Sequence, residues 1–422
     1  MSTPVETAIG RIREQMPANG FFKDKTWRIS PEAFSFDGKT VETLEKLGPR
    51  LLAFLKAANL LYRKSVQGKA PEWIARWLDQ GKPEDLIQIS RSDALRDKLP
   101  GIIRPDLILT EHGFALSEVD SVPGGVGLTA WLNEVYAGLG EAVIGGANRM
   151  KEAATRHFPT GSVVISEEAL DYRPEFEWLY GADRVKAAES YQFNGEPVYR
   201  FFECFDWPNL GALRGSWNEG CRLDPPLKPF LEEKLWLALF WLKPLQEYWR
   251  QQLGERYYLD LRALIPQGWV VEPGVLPPTA VLPGLEAQSW QEVADFSQKE
   301  RELILKISGF SPLAWGSRGV TLGSDVSGPE WREAVEEALQ VFARSPYIMQ
   351  RFAKGRMVEH PYWDEQAGVL KKMQGRVRVC PYYFVEEEHA ELKGVLVTLC
   401  PSDKKLIHGM QDAVIVPGKS QN

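Results

Sequence analysis

Apolar residues recur at helical spacing through LEKLGPRLLAFLKAANLLY, so residues 42–80 read as helix. The pattern then changes. RPDLILTEHGFALSEVD predicts a strand from Arg104 to Thr110, a turn at Glu111, His112 and Gly113, and a returning strand from Phe114 to Asp120. A three-residue loop ending in glycine sets Ile108 opposite Leu116, Asp106 opposite Glu118 and Arg104 opposite Asp120. Beyond SVPGGVG, LTAWLNEVYAGL repeats the helical spacing. GSVVIS reads as a strand, PEFEWLYGA as a helix, and YQFNGEPVYRFF as a hairpin about Asn194-Gly195.

From Pro226 to Leu253 the chain reads as a helix apolar on nearly every side, broken at Pro244 and ended at Gly254. Proline-rich connections at 266–284 lead to a strand ELILKIS, a glycine-rich loop, a helix at 329–343, and strands YIMQRF, RVRVCPYYFV and GVLVTLC. The fold class is a mixed α/β one.

A chain of 422 residues has material for two to three domains. Its longest apolar run, LWLALFWL at 235–242, is bounded by Lys234 and Lys243 and falls short of the roughly 18 residues a span needs. No membrane partner is expected. The first twenty residues carry acids and no apolar signal core, so a cytoplasmic location is the expectation. Cys204, Cys221, Cys380 and Cys400 form no CxxC pair, which argues against structural zinc and a disulfide framework. A net charge of -7 opposes a broad nucleic-acid footprint, so an anionic ligand would need a few local cations.

Opposed carboxylates at Asp106 and Glu118 disfavour a strand pair by roughly 0.2–1 kcal/mol. A divalent cation with hard oxygen ligands would compensate them. A solvated face, with Arg104 on Asp120 and water around the other acids, is the alternative. The glycine-rich SVPGGVG opens a helix and can hold an anion or simply turn the chain. Between Lys306 and Gly323 a strand runs into a loop with Gly309, Gly316, Gly319, Ser308, Ser311, Ser317 and Arg318. Backbone amides beside lysine and arginine suit phosphate, although the loop is neither a P-loop nor a GxGxxG turn.

Together, Arg104-x-Asp106, the twelve-residue step to Glu118 and Glu118-x-Asp120 resemble the metal-binding hairpin of the circularly permuted ATP-grasp family, whose best-known type is glutathionylspermidine synthase. The order of hairpin, small α/β unit and lysine-bearing nucleotide half is also similar. The resemblance implies a circularly permuted ATP-grasp with residues 1–155 holding a helical region and the metal-binding half. A small inserted α/β domain would occupy 156–225, and the nucleotide-binding half 226–422. Asp106, Glu118 and Asp120 would ligate Mg2+ on ATP, with Arg104 contacting the transferred phosphoryl group. Lys306 and the loop through Gly316, Ser317, Arg318 and Gly319 would close over the phosphates. Lys234 would be the earlier nucleotide lysine, or a lysine whose stem covers the core. Tyr347–Phe352, with Gln350, Arg351 and Phe352, would be the adenine hinge, or a plain core strand.

Arg378 reads as an edge-strand arginine or a phosphate contact. Tyr172, Arg173 and Glu175 would contact a charged substrate or cap their own helix. His408 and Asp412 form a polar pair without an assigned role. Asp120 departs from the family's asparagine and adds a negative charge, and Ser121 and Val122 replace its usual following residues. The implied reaction joins a small-molecule or peptide carboxylate to an amine at the cost of ATP. The alternative is a catalytically inactive nucleotide-binding protein acting as a sensor or assembly partner.

Overall fold

The computed structural model describes residues 4–18, 20–22, 25–120, 122–274, 281–314, 318–405 and 410–421. It divides into two compact units. Met1–Leu52, Lys98–Pro226 and Lys354–Asn422 make the first, and Ala53–Asp97 with Leu227–Ala353 make the second. The mixed α/β class is borne out. Among the described residues no helix is long and apolar enough to cross a membrane.

The first unit is built on β1 (Phe34–Phe36), β2 (Ile102–Thr110), β3 (Gly113–Asp120), β12 (Met357–Asp364), β13 (Val369–Glu386), β14 (His389–Pro401) and β15 (Val414–Ser420). Their order is β1-β15-β14-β13-β2-β3, with β12 also on β13. Val377 and Val379 point from β13 into the core at 0% exposure, so Arg378 and Cys380 face the other way. β13 lies between β14 and β2, with Arg378 opposite Thr398 on one side and Ile108 on the other. Arg378 is therefore on a central strand, not an edge.

The β2–β3 hairpin departs from its expected register in two places that offset each other. Thr110 pairs with Gly113, so the loop is two residues, Glu111 and His112, instead of three. The Thr110 hydroxyl donates to Gly113 O at 3.1 Å and accepts from His112 N at 3.2 Å. A bulge then sets Ser117 at a register shift, and its hydroxyl donates to Asp106 O at 3.1 Å. Ile108 consequently faces Ala115 rather than Leu116, while Asp106 faces Glu118 and Arg104 faces Asp120 as expected.

The same unit carries a second sheet of β4 (Ser162–Ile165), β5 (Val185–Ala187), β6 (Pro197–Phe201) and β7 (Arg222–Asp224) in the order β5-β4-β6-β7, every pair parallel. Val163, Val164 and Ile165 are all 0% exposed, the continuous apolar run a parallel sheet demands. The hairpin expected about Asn194-Gly195 does not form. The turn exists, with Gly195 at φ +90 and Asn194 accepting from Glu196 N at 3.0 Å. Phe193 N, however, donates to Ser216 Oγ at 3.0 Å, so no strand precedes the turn.

The second unit holds an antiparallel sheet of β8 (Gly268–Val271), β9 (Leu303–Ile307), β10 (Val320–Leu322) and β11 (Tyr347–Arg351), ordered β10-β9-β11-β8. β8 lies within the stretch read as proline-rich connection. The helix Gly328–Gln340 packs Trp331, Val335 and Ala338 against Trp269, Val271, Leu303, Leu305 and Met349. Ser327 and Glu330 close its N-terminus as a capping box.

Elsewhere the expected long helices are segmented. Residues 42–80 form Gly38–Val66 and Glu72–Asp79, parted near Gly68, whose φ is +68, and Pro71. The segment from Pro226 holds the short helix Leu235–Leu239, a 3₁₀ turn at Lys243–Leu245 around Pro244, and Gln246–Leu264. Gly254, at φ 71 and ψ 156, leaves helical geometry and ends the first helix as expected, and a second helical stretch follows it directly.

Candidate functional site

In the first unit the pleat brings Arg104, Asp106 and Asp120 to one face of the hairpin, and β13 adds Arg378 and Cys380. Asp106 is 2% exposed. Its Oδ1 meets Arg104 Nη2 at 3.0 Å and Cys380 Sγ at 3.3 Å, and its Oδ2 meets Arg378 Nη1 at 3.0 Å. Arg104 also pairs with Asp120 and donates to Gly124 O at 3.0 Å. Burial alone would raise the Asp106 carboxyl, yet Arg104 and Arg378 hold it below the usual carboxylate range. Burial pushes Asp120 up to about 6; Arg104 opposes this, while the charges of Asp106 and Glu118 add to it. Burial and then Asp106 push the Cys380 thiol up to about 12, so it sits there as a neutral donor.

Two polar atoms in this cluster stand out. Nε of Arg104 and Nε of Arg378 are buried and have no hydrogen-bond partner. An unsatisfied buried donor costs roughly 1–3 kcal/mol, more when charged.

The hairpin fits a metal ion poorly in this arrangement. Both oxygens of Asp106 are taken by guanidinium groups, and among the described residues no three His, Cys, Asp or Glu side chains come together to hold a metal. Two buried arginines beside that carboxylate oppose a second cationic centre: a divalent charge about 5 Å from one guanidinium is repelled by about 7 kcal/mol at an effective dielectric of about 20.

The glycine-rich stretch at 122–127 is a turn whose amides are already met by the protein's own carboxyl group. Glu175, 1% exposed, accepts from Gly125 N at 2.8 Å and Leu128 N at 3.0 Å at the start of the helix Val126–Gly138. Side chains leave no room at its glycines. A Cβ on Gly124 would lie 2.1 Å from the Tyr172 ring, and one on Gly127 2.4 Å from Glu175 O. Gly125 has φ +81, and Tyr382 Oη would lie 2.5 Å from a Cβ there. Tyr382 Oη donates to Gly124 O at 2.7 Å. Burial pushes the Glu175 carboxyl up to about 7 against its backbone hydrogen bonds. Glu175 thus caps a helix other than its own. Arg173 pairs with Glu177 at 2.7 Å, and Tyr172 packs its ring on Phe22 and Phe201.

In the second unit Lys306, 8% exposed on β9, places Nζ 3.3 Å from Gln350 Oε1 on β11. Gln350 Nε2 donates to Pro266 O at 3.4 Å, which turns its oxygen towards the lysine. Its amide therefore supports Lys306 rather than standing open to a base. At the expected hinge, Arg351 N donates to Gln267 O at 2.8 Å and Phe352 N to Glu302 O at 3.0 Å. The Arg351 guanidinium turns to Gly284 O.

Lys234 precedes Leu235–Leu239 and donates to Ser308 O at 3.4 Å, and Leu235 N donates to Ser308 Oγ at 3.0 Å. Glu233 makes a fully buried pair with Lys82, whose Nζ lies 5.5 Å over the Phe310 ring. Of the loop glycines, Gly309 and Gly319 leave no room for a side chain, against Glu232 O at 2.5 Å and Ile307 Cγ2 at 2.4 Å. Close packing thus accounts for them. Gly316 and Ser317 lie outside the described residues, and Arg318 is exposed with Nη2 on Pro312 O at 2.7 Å.

His408 also lies outside the described residues. Asp412 holds Thr26, accepting from Oγ1 at 3.1 Å and donating its N–H to Thr26 O at 3.1 Å. Cys380 and Tyr382 escaped the sequence reading. Their signal was the alternation in RVRVCPY, which sets Arg378, Cys380 and Tyr382 on one face of a strand.

No protein-family model matches the chain, and no curated protein does. Among solved structures, a protein named as a gamma-glutamylcysteine synthetase of Methylobacillus flagellatus reaches a TM-score of 0.37 at 10% identity, over 83% of this chain and 84% of that one, too low to bear on the fold. A glutathione synthetase-like effector of Globodera pallida, in its apo form, matches with a TM-score of 0.55 at 10% identity, over 100% of this chain and 98% of that one: the two share a fold.

Proposed function

We propose that this chain is an ATP-dependent carboxylate–amine ligase of the circularly permuted ATP-grasp type. The observation that carries the reading is the cluster of Arg104 and Arg378 on Asp106, with two buried Nε donors unsatisfied, on a hairpin with ATP-grasp spacing. Buried, unsatisfied guanidinium donors suit an oxyanion ligand. The fold shared with a protein named for glutathione synthetase supports a ligase. The domain assignment of a hairpin half, a small parallel unit and a nucleotide half belongs to the same proposal.

In this reading the substrate carboxylate attacks the γ-phosphorus of ATP, the bond to ADP breaks, and an acyl phosphate forms. The amine then attacks the acyl carbon, releases phosphate, and gives up a proton as the amide forms. Arg104 and Arg378 bind and orient the negative oxygens of the phosphoryl group, a task of positioning and charge neutralisation. Lys306, held by Gln350, and Lys234 supply cationic contacts for the nucleotide. The Mg2+ contacts expected from Asp106, Glu118 and Asp120 form no part of this reading, because Arg104 and Arg378 hold Asp106 and Arg104 also holds Asp120.

Isothermal titration with a non-hydrolysable ATP analogue tests the reading. Wild type is expected to bind and Lys306→Met to bind at least roughly tenfold more weakly, a loss of about 1.4 kcal/mol. No binding by wild type with or without Mg2+ would end it. One observation favours a second reading, binding without turnover: arginines occupy both oxygens of Asp106, and an aspartate stands at 120. Analogue binding with no ADP release across carboxylate and amine pairs would select it.

A further inference from the structure

The segment Lys98–Pro226 of the first unit is fastened end to end by one carboxylate. Asp224, the last residue of β7, accepts from Gly101 N at 2.9 Å through Oδ1, and its Oδ2 meets His157 Nε2 at 2.5 Å. Gly101 stands immediately before β2, and its carbonyl accepts from Val385 N on β13 at 2.8 Å. The main chain runs hard against the imidazole there: a Cβ on Gly101 would lie 2.0 Å from His157 Cε1. His157 closes the helix Arg149–His157, where the peptide dipoles favour a cation. Ring, carboxylate and amide thus meet at the foot of the strand that carries Arg104 and Asp106.

We propose that His157, Asp224 and Gly101 form a clasp, closed while the imidazole carries its second proton and opened when it loses it, that fixes the start of β2 and so the placing of Arg104 and Asp106. A charged ring donating to a carboxylate makes a bond about twice as strong as one between neutral groups. A neutral ring leaves Asp224, 23% exposed at its side chain, free to turn to water, and Gly101 N then loses its acceptor. His157 is a positioning residue, acting on β2 through Asp224 and Gly101. The clasp stands apart from the ligase reading; only what Arg104 binds depends on that reading.

Glu386 on β13 also acts on the ring and is itself paired with Arg156 at 3.3 Å. Tyr180 and Tyr199 lie within electrostatic reach of Asp224, and burial holds both hydroxyls above their ordinary value, so neither ionises near neutral pH. Burial lowers the imidazole, but the hydrogen bond and charge of Asp224, with Glu386, outweigh it and raise the ring above 6.5. The clasp is therefore full below pH 6.5 and is lost as the pH rises through the raised value.

Amide hydrogen exchange at Gly101, read residue by residue and corrected for the intrinsic rate at each pH, tests the clasp. Wild type is expected to protect that amide roughly tenfold more at pH 5.5 than at pH 8.5, the effect of about one unit of linked pKa shift. His157→Gln keeps a neutral donor beside Asp224 and is expected to show the lower protection at both. Should it fail to fold, Asp224→Asn leaves an acceptor for Gly101 N without the charge, and its protection is expected to stay level between the two. Equal protection of wild type at both pH values, or the wild-type profile in either variant, overturns the clasp. Nucleotide enters none of these readings, so failure to bind an ATP analogue would end the ligase reading alone.

Discussion

Glu175→Gln removes one titrating group from the start of the helix Val126–Gly138 and keeps the shape of the side chain. In the folded protein burial raises this carboxyl from 4.5 to about 7, against hydrogen bonds from Leu128 and Gly125. Between those two values the folded chain keeps a proton that the unfolded chain has released. Stability contributed by Glu175 is therefore full below pH 4.5 and falls as the pH rises through 7. The separation, 7 minus 4.5, is about 2.5 pH units and corresponds to about 3 kcal/mol at 1.36 kcal/mol per unit. Exposure of 1% leaves no solvent to weaken it.

Urea denaturation of wild type and Glu175→Gln at pH 4.5 and pH 8 measures the difference. Relative to the variant, wild type is expected to lose about 3 kcal/mol across that range. A difference that stays constant would refute the argument. So would wild type gaining on the variant as pH rises, since the peptide dipoles at the helix start would then outweigh burial.

Lys82→Met strands Glu233 as an unpaired buried charge, and a loss of about 3–5 kcal/mol is expected by the same denaturation. Gly125→Ala forces a left-handed backbone on alanine, which costs about 1–2 kcal/mol, and drives its Cβ to within 2.5 Å of Tyr382 Oη. A fall in Tm beyond that expected from the backbone term alone would register the collision. Ser327→Ala removes the capping hydroxyl of the helix Gly328–Gln340 and is expected to cost about 1 kcal/mol; an unchanged Tm would show that the first turn needs no cap.

Local pattern revealed those parts of the fold whose partners are close in sequence. The hairpin was legible because Arg104, Asp106, Glu118 and Asp120 pair across a short turn, although its loop length and the bulge at Ser117 were each missed by one residue. The Asn194-Gly195 turn misled because a turn signal is local and the parallel pairing of β6 with β4 is not. β12 carries Pro361 between Glu359, His360 and Asp364, so it showed little strand character alone; β13 pairs with it along its full length. Glu175 follows a proline at a helix start, and nothing nearby indicates that its carboxylate serves Gly125, 50 residues earlier. In the site, the alternation RVRV disclosed the face Arg378 occupies but not the carboxylate it meets.

That carboxylate lies 272 residues away, and the distance shapes how the protein is made. At about 5–20 residues per second, synthesis from Asp106 to Arg378 takes roughly 14–54 s. Throughout that interval β2 lacks β13, its neighbour in the sheet, and presents a raw edge to the cell. Asp106 and Arg104 meanwhile remain wet and unpinned by the later strand. The nascent hairpin therefore keeps that edge open until β13, residues 369–386, emerges, and ribosome pausing between the two would lengthen its exposure.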